Sequence, residues 1–115
     1  MTHHVLLLDL VDDPAAIDAY EAWHRAGAVP APVVASIRRA GVEAMEIFRS
    51  GTRLVMVMDV GDAFDPLAKA AADAGDPDVA AWERLMDGFQ RPLPWAAAGT
   101  KWTAATRIFD LADQP

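Results

Sequence analysis

Two apolar runs joined by a tight turn constrain the fold of this chain more than any other feature. Residues 42–49 read VEAMEIFR and residues 53–60 read RLVMVMDV, with Ser50-Gly51-Thr52 between them. Both runs have the length and apolar content of β-strands, and a short connection that contains glycine is typical of a hairpin. The sequence therefore predicts an antiparallel β-hairpin in the middle of the chain.

The first strand of this hairpin carries a carboxylate where an apolar side chain is expected. Side chains alternate between the two faces of a strand, so Glu46 shares its face with apolar neighbours. That is unusual for a side chain that only meets solvent, and we keep Glu46 as a candidate functional group. The predicted faces are Val42, Ala44, Glu46 and Phe48 on one side, and Glu43, Met45, Ile47 and Arg49 on the other.

The chain before the hairpin reads as one strand and two helical segments. Residues 5–11, VLLLDLV, predict a buried strand, and Asp13-Pro14 after it is a helix start signal with Asp13 as the N-cap. That helix is predicted to end near Ala26. A second helical segment runs from about residue 32 to residue 40, and Gly41 ends it in the usual C-cap role.

After the hairpin the pattern repeats with two helical segments and a last strand. Residues 66–74 predict an alanine-rich helix, and Asp76 caps a further helix whose apolar face includes Trp82. Residues 90–100 are predicted to form a loop, and residues 102–111 the last strand.

This order of elements predicts a ferredoxin-like α+β domain that spans residues 1–115. The β-α-β-β-α-β order is that of an antiparallel sheet with its helices on one face. The strands over 5–11 and 53–60 are too apolar for a sheet with one face in water. A second copy of the sheet would cover the bare face, so we expect a homodimer.

Composition narrows the classes of partner and compartment. The formal net charge is −7 and there is no basic run, so nucleic acid and anionic membranes are poor partners. The chain has no cysteine, and no apolar stretch approaches the roughly 20 residues of a membrane span. The cytoplasm is the expected compartment. Metal-ligand spacings and a Gly-rich phosphate loop are also absent from the sequence, so neither a metal nor another cofactor is expected.

Tyr20 and His24 lie four residues apart on the first predicted helix, which places both side chains on one face. A phenol and an imidazole together can hydrogen-bond a polyhydroxylated ligand and move a proton near neutral pH. The alternative is a core histidine packed beside an aromatic ring. The segment alone favours that structural interpretation.

Tryptophan is the other feature that suggests a sugar ligand. Of four tryptophans in 115 residues, Trp82, Trp95 and Trp102 lie in the last third of the chain. Flat aromatic faces suit the C–H faces of a pyranose ring, while carboxylates, histidine and Lys101 suit its hydroxyls. We expect Trp82 and Trp95 to line a pocket with Tyr20 and His24, on the open side of the sheet. Core packing for Trp82 and a loop contact for Trp95 are the alternatives.

Taken as a set, these motifs resemble the L-rhamnose mutarotase family, whose members are small dimeric α/β-barrel proteins that interconvert sugar anomers. The resemblance runs from about Val5 to Leu111 and is carried by the Tyr20-x-x-x-His24 spacing, by Gly41 before the hairpin and by Trp82. Ala81 stands where the family has a second tryptophan, and Met45 where it has a tyrosine. The stretches 45–48, 89–95 and 99–102 look more like the branch associated with L-fucose.

The resemblance implies an enzyme, a sugar mutarotase that acts on a 6-deoxyhexose such as L-fucose or L-rhamnose without a cofactor. It implies His24 as the proton donor and Tyr20 as a contact of the sugar. We add Glu46 as the second catalytic group. The expected substrate-binding residues are Tyr20, Trp82, Trp95, Lys101 and Trp102. A sugar-binding subunit without catalysis is the main alternative, and a cofactor-free monooxygenase on the same fold is a weaker one.

Overall fold

The central hairpin forms as predicted, and strands and helices alternate around it in the expected order. The computed structural model describes residues 2–115. Before and within the hairpin the elements are β1 Thr2–Leu10, α1 Pro14–Trp23, α2 Ala31–Arg39, β2 Val42–Ser50 and β3 Arg53–Val60. They are followed by α3 Pro66–Ala74, α4 Pro77–Asp87, β4 Gln90–Arg91, β5 Thr103–Ala104 and a 3-10 turn at Leu111–Asp113.

Aspartate before proline starts three of the helices. Asp13, Asp65 and Asp76 each accept hydrogen bonds from backbone N–H groups of the first turn, and a proline follows each of them. Such a carboxylate satisfies donors that have no partner within the helix, and proline lacks the N–H that would otherwise need one. Gly41 stands between α2 and β2 at a φ of +95°, a conformation that favours glycine.

The sheet has the strand order β2-β3-β1-β4, and all its pairs are antiparallel. β1 is central because β3 pairs along nearly its whole length on one side. The other side of β1 is shared by two short strands, β4 at Asp9 and Leu10 and β5 at Leu6 and Leu7. This is the ferredoxin-like order, which confirms the predicted fold class.

One face of the sheet packs against the helices and forms the core. Leu8 and Leu54 face each other across β1 and β3, and they are 0% and 1% exposed. Burial of this kind contributes roughly 1.5–3 kcal/mol for each large apolar side chain. The main buried cluster consists of Leu10, Tyr20, Val33, Leu54, Trp82 and Met86.

The last strand is much shorter than the prediction over residues 102–111. Only Thr103 and Ala104 pair with β1, at Leu7 and Leu6. Gln90 and Arg91, predicted as loop, pair with Leu10 and Asp9 on the same edge, just before the place where β5 begins. The rest of the segment leaves the sheet. Its large apolar side chains are therefore exposed, as Ile108, Phe109 and Leu111 show.

The predicted faces of β2 are correct except at its start. A bulge between Val42 and Ala44 leaves Glu43 without a partner in the β3 ladder. Because the extra residue shifts the alternation, Val42 lies on the helix side together with Met45, where it is buried. The alternation predicted from the sequence had placed Val42 beside Glu46.

No helix formed by the described residues, 2–115, covers the other face of the sheet. Cross-strand pairing brings Val5 opposite Val57 and Leu7 opposite Val55 on this open face, and Phe48 of β2 lies next to Val55. Phe48 is 52% exposed. Within residues 2–115, no helix has the length and apolar character that crossing a bilayer requires.

Candidate functional site

A cavity of about 340 Å³ lies between the helices and the sheet. Its volume is in the range of small-molecule sites in proteins. Its floor is the helix side of the hairpin, and its walls come from α1, α2, α4 and the segment before β5. The residues that matter for the chemistry are Tyr20, His24, Met45, Ile47, Met56, Met58, Trp82, Glu83, Gln90 and Trp102.

His24 ends α1, and its ring is held by the backbone of the helix that it ends. Nδ1 lies 2.7 Å from the carbonyl oxygen of Tyr20. A carbonyl oxygen can only accept, so Nδ1 carries the hydrogen, and the neutral ring keeps its lone pair on Nε2. In the part of the chain that the structure describes, Nε2 has no hydrogen-bond partner. His24 can therefore accept a proton from a ligand in the cavity.

Tyr20 packs against His24 and presents its hydroxyl to the cavity. The two rings lie 4.3 Å apart between centroids, and the Tyr20 hydroxyl accepts a hydrogen bond from Gln90 Nε2 at 3.2 Å. Burial raises the pKa of Tyr20, and this outweighs the lowering effects of Gln90 and Lys101. The phenol is thus a stable hydrogen-bond donor and not a source of phenolate at neutral pH.

Trp82 forms an aromatic wall beside His24. Its ring centroid lies 5.4 Å from that of His24 and 6.1 Å from that of Trp23, both in edge arrangements. Trp82 is 9% exposed, so it belongs to the core and to the cavity at once. Core packing, one of the two alternatives for Trp82, is therefore present together with a place at the cavity wall, and its contact with a sugar stays a prediction.

A second cleft of about 380 Å³ opens on the β2 side of Tyr20 and His24. Glu21 and Arg49 lie at this cleft and form an ion pair. A carboxylate and a guanidinium together can accept from and donate to neighbouring hydroxyl groups of a sugar. The Tyr20 and His24 pair can thus be approached from two sides, one apolar and one charged.

Lys101 is engaged by carboxylates of α4. Its Nζ lies 2.6 Å from Glu83 and 2.7 Å from Asp87. Burial alone would lower the pKa of Lys101, but its hydrogen bonds to Asp87 and Glu83 and their charges raise it overall. The ammonium therefore ties the segment before β5 to α4 and holds the adjacent Trp102 at the cavity. Lys101 is not among the residues that line the cavity, and its role in sugar binding stays a prediction.

Two of the expected site residues lie away from this cavity in one copy of the chain. Glu46 is cross-strand from Val57, on the open face, because the helices cover the opposite face of β2. Trp95 is 61% exposed and lies under Arg53, whose guanidinium is 5.5 Å from the ring centroid. The expected pocket on the open side of the sheet is thus corrected: it lies on the helix side.

The structure adds residues that the sequence did not single out. Gln90 contacts Tyr20 through a strand that was predicted as loop, and no local pattern marks it. Met56 and Met58 reach the cavity because β3 alternates its side chains between the two faces. The sequence did offer a signal for them. Met56 and Met58 are two residues apart, so they share a face of β3, and the neighbouring strand of the hairpin carries Met45.

The described residues offer little to hold a metal ion. No three His, Asp or Glu side chains among residues 2–115 form a group that could bind one. A further cavity of about 260 Å³ is lined by residues of α2 and α3, such as Arg39 and Lys69, and by Asp76 before α4. Its lining includes no aromatic or histidine side chain, so it lacks the chemistry found at Tyr20 and His24.

Sequence comparisons relate this chain to sugar mutarotases. A family profile described as L-rhamnose mutarotase matches residues 3–111. An L-fucose mutarotase of Xanthomonas campestris pv. campestris is 57% identical over 107 residues, which are 93% of this chain and 86% of that protein. A UPF0734 protein of Dictyostelium discoideum is 30% identical over 108 residues, 90% of this chain and 85% of that protein.

Solved structures with the same architecture are more distant in sequence. The L-rhamnose mutarotase of Formosa agariphila matches with a TM-score of 0.69 at 15% identity, over 96% of this chain and 99% of its own. The tetracenomycin F2 cyclase of Streptomyces glaucescens matches with a TM-score of 0.53 at 17% identity, over 96% and 98%. At these identities the two structures support the fold alone.

Proposed function

Because the chain belongs to the L-rhamnose mutarotase family, we propose that it is a sugar mutarotase that interconverts the α and β anomers of a 6-deoxyhexose. The observation that carries the proposal is the His24 ring at the cavity. Its Nδ1 donates to the Tyr20 carbonyl at 2.7 Å, which leaves Nε2 able to accept a proton. A neutral imidazole with a fixed tautomer is a suitable acid–base group near neutral pH.

The proposed reaction needs one group that moves a proton and one that holds the ring oxygen. His24 Nε2 accepts the proton of the anomeric hydroxyl while the C1=O bond forms and the bond from C1 to the ring oxygen breaks. Tyr20 donates a hydrogen bond to the released oxygen, and the imidazolium returns the proton to it. Rotation about C1–C2 and closure on the other face reverse these transfers. Glu46, on the opposite face of the sheet, takes no part in this scheme.

The walls of the cavity suit a 6-deoxy sugar. Trp82 offers a flat surface for ring C–H groups, and the methionines Met45, Met56 and Met58 offer an adaptable apolar surface for the C6 methyl group. Hydroxyl groups on the other side can reach the ion pair of Arg49 and Glu21. We propose L-fucose as the preferred substrate, in line with the 57% identity to an L-fucose mutarotase.

Anomer exchange measured by NMR tests this function directly. Saturation-transfer spectra of L-fucose and L-rhamnose at equilibrium should show exchange between anomers that is faster with protein than in buffer, with the larger increase for L-fucose. Sugar binding without faster exchange would support the alternative, a non-catalytic binding subunit. A larger increase for L-rhamnose would overturn the choice of sugar and leave the reaction in place.

We also propose that the protein is a homodimer that pairs the open faces of two sheets. Support comes from the apolar open face, with Phe48 52% exposed beside Val55. Further support comes from the segment after β5, where Ile108 is 94% and Phe109 64% exposed. Exposed apolar patches often mark protein–protein interfaces. The cytoplasm stays the predicted compartment, and a cofactor has no role in the proposed reaction.

Charge introduced on the open face should separate the two subunits. Phe48→Glu is expected to shift the sedimenting species at micromolar concentration from twice the chain mass to the chain mass, because the carboxylate would have to be desolvated. Leu67→Glu is the matched control, since Leu67 is 82% exposed on α3, away from this face. A wild-type protein that sediments as a monomer would contradict the proposed dimer.

A further inference from the structure

Gln90 touches the phenol of Tyr20 from a position that the sheet holds in place. Its backbone belongs to β4 and pairs with Leu10 of β1, and its Nε2 donates to the Tyr20 hydroxyl at 3.2 Å. Gln90 also lines the cavity shared by His24 and Trp82. The amide therefore reaches Tyr20 from a hydrogen-bonded strand, at the edge of the space proposed for the sugar.

The direction of this hydrogen bond decides what Tyr20 can do. A phenol has one hydrogen, and it is free for another acceptor when the phenol oxygen accepts from an amide N–H. Burial, the largest influence on Tyr20, raises the pKa of the phenol, so the hydrogen stays in place at neutral pH. The contact from Gln90 thus leaves Tyr20 as a donor toward the cavity.

Packing gives no reason for an amide at this position. Gln90 Oε1 is buried, and in the described part of the chain it has no hydrogen-bond partner. A buried acceptor without a partner lowers stability. A methionine of similar length would fill the space without that penalty. Among residues 2–115, the one hydrogen bond of the Gln90 side chain is its contact with Tyr20.

We infer that Gln90 is a positioning residue for anomer exchange, because its amide N–H holds the Tyr20 hydroxyl as a hydrogen-bond donor to the sugar oxygen released on ring opening. The inference rests on the proposed function, and it adds a residue that touches the sugar only through Tyr20. The charged and titratable side chains around this pair are Glu21 on α1 and His24 at its end, Arg49 on β2, Lys69 and Asp73 on α3, Glu83 and Asp87 on α4, and Lys101.

Gln90→Glu tests the inference through a pH profile. Above the pKa of the introduced carboxyl group, the carboxylate accepts from Tyr20 and takes the hydrogen away from the sugar. We expect kcat/KM for L-fucose to fall by about tenfold or more relative to wild type at about pH 8, as for loss of one hydrogen bond to a reacting oxygen. Below that pKa, which burial raises, the carboxylic acid donates to Tyr20, and the ratio of variant to wild type should recover.

Two further variants separate this effect from a change of charge or of folding. In a Tyr20→Phe background, Gln90→Glu should cause no recovery at low pH, because the phenol oxygen is gone while the charge near His24 is the same. Gln90→Met should lower kcat at every pH without lowering the melting temperature. A structural role would instead lower the melting temperature and leave kcat unchanged.

The outcomes distinguish this inference from the proposed function. A wild-type protein without anomer exchange would overturn the function. An active wild type with a pH-independent ratio for Gln90→Glu would overturn the role of Gln90 alone. A Gln90→Met variant as active as wild type would also overturn the role of Gln90. It would mean that Tyr20 donates to the amide carbonyl, so that removal of the amide takes no donor away from the sugar.

Discussion

Replacing His24 with alanine is expected to slow anomer exchange by about 10²-fold or more, the usual loss when a proton-transfer group is removed. The reason is that His24 is the group at the cavity whose neutral form has a lone pair free on Nε2. The rate of L-fucose exchange, measured by NMR at several protein concentrations, provides the test.

His24→Gln is the matched control for this prediction. A glutamine amide can donate to the Tyr20 carbonyl as Nδ1 does, but it cannot accept and release a proton near neutral pH. Both variants should therefore be slow. An active His24→Gln beside an inactive His24→Ala would show that the histidine only holds the end of α1. A folded His24→Ala that exchanges anomers at the wild-type rate would remove His24 from the mechanism.

Replacing Trp82 with alanine is expected to have the largest effect on both binding and stability. Trp82 is 9% exposed, packs in the core cluster and contacts His24, so its removal should destabilise the fold by about 3–5 kcal/mol. The same change should abolish the response of tryptophan fluorescence to L-fucose. Thermal unfolding and a fluorescence titration measure the two effects separately.

The chain offers Trp95 as a comparison for Trp82. Trp95 is 61% exposed and stacks with Arg53 outside the cavity, so Trp95→Phe should leave the affinity and the fluorescence change intact. Trp82→Phe keeps most of the packing and should retain part of the affinity. A lost fluorescence change in Trp95→Phe but not in Trp82→Phe would show that the sugar binds on the other face of the sheet.

Much of the fold was predictable because local chemistry determines where its elements begin and end. Asp13 and Asp76 before prolines start helices, and Gly41 ends one, each through backbone requirements that few other residues meet. The last strand was not predictable in this way. Where it begins depends on how much of the β1 edge is already taken by Gln90 and Arg91, a long-range constraint that no local pattern reports. Its end at Ala104 is not marked by the apolar pattern of residues 105–111 either.

Part of the candidate site was also predictable, because local helix geometry determines it. Tyr20 and His24 meet because four residues make about one helical turn, and the resemblance to the L-rhamnose mutarotase family is confirmed by comparison. The place of Glu46 was not predictable. Both faces of β2 contain apolar residues, so alternation defines which residues share a face but not which face the helices cover. The bulge after Val42 also shifts the alternation of side chains between the two faces, and no sequence pattern predicts it.

Because side chains alternate along β2, neighbouring residues face either the cavity or the proposed assembly surface. Each of the two sets can therefore change in evolution without the other. Met45 and Ile47 face the cavity, while Glu46 and Phe48 face the surface we propose for assembly. A library randomised at positions 45 and 47 can therefore change which sugar is accepted while the oligomer is retained. A single-residue deletion within the strand would exchange both sets at once, so substitutions offer a far easier evolutionary route to a new substrate than changes of strand length.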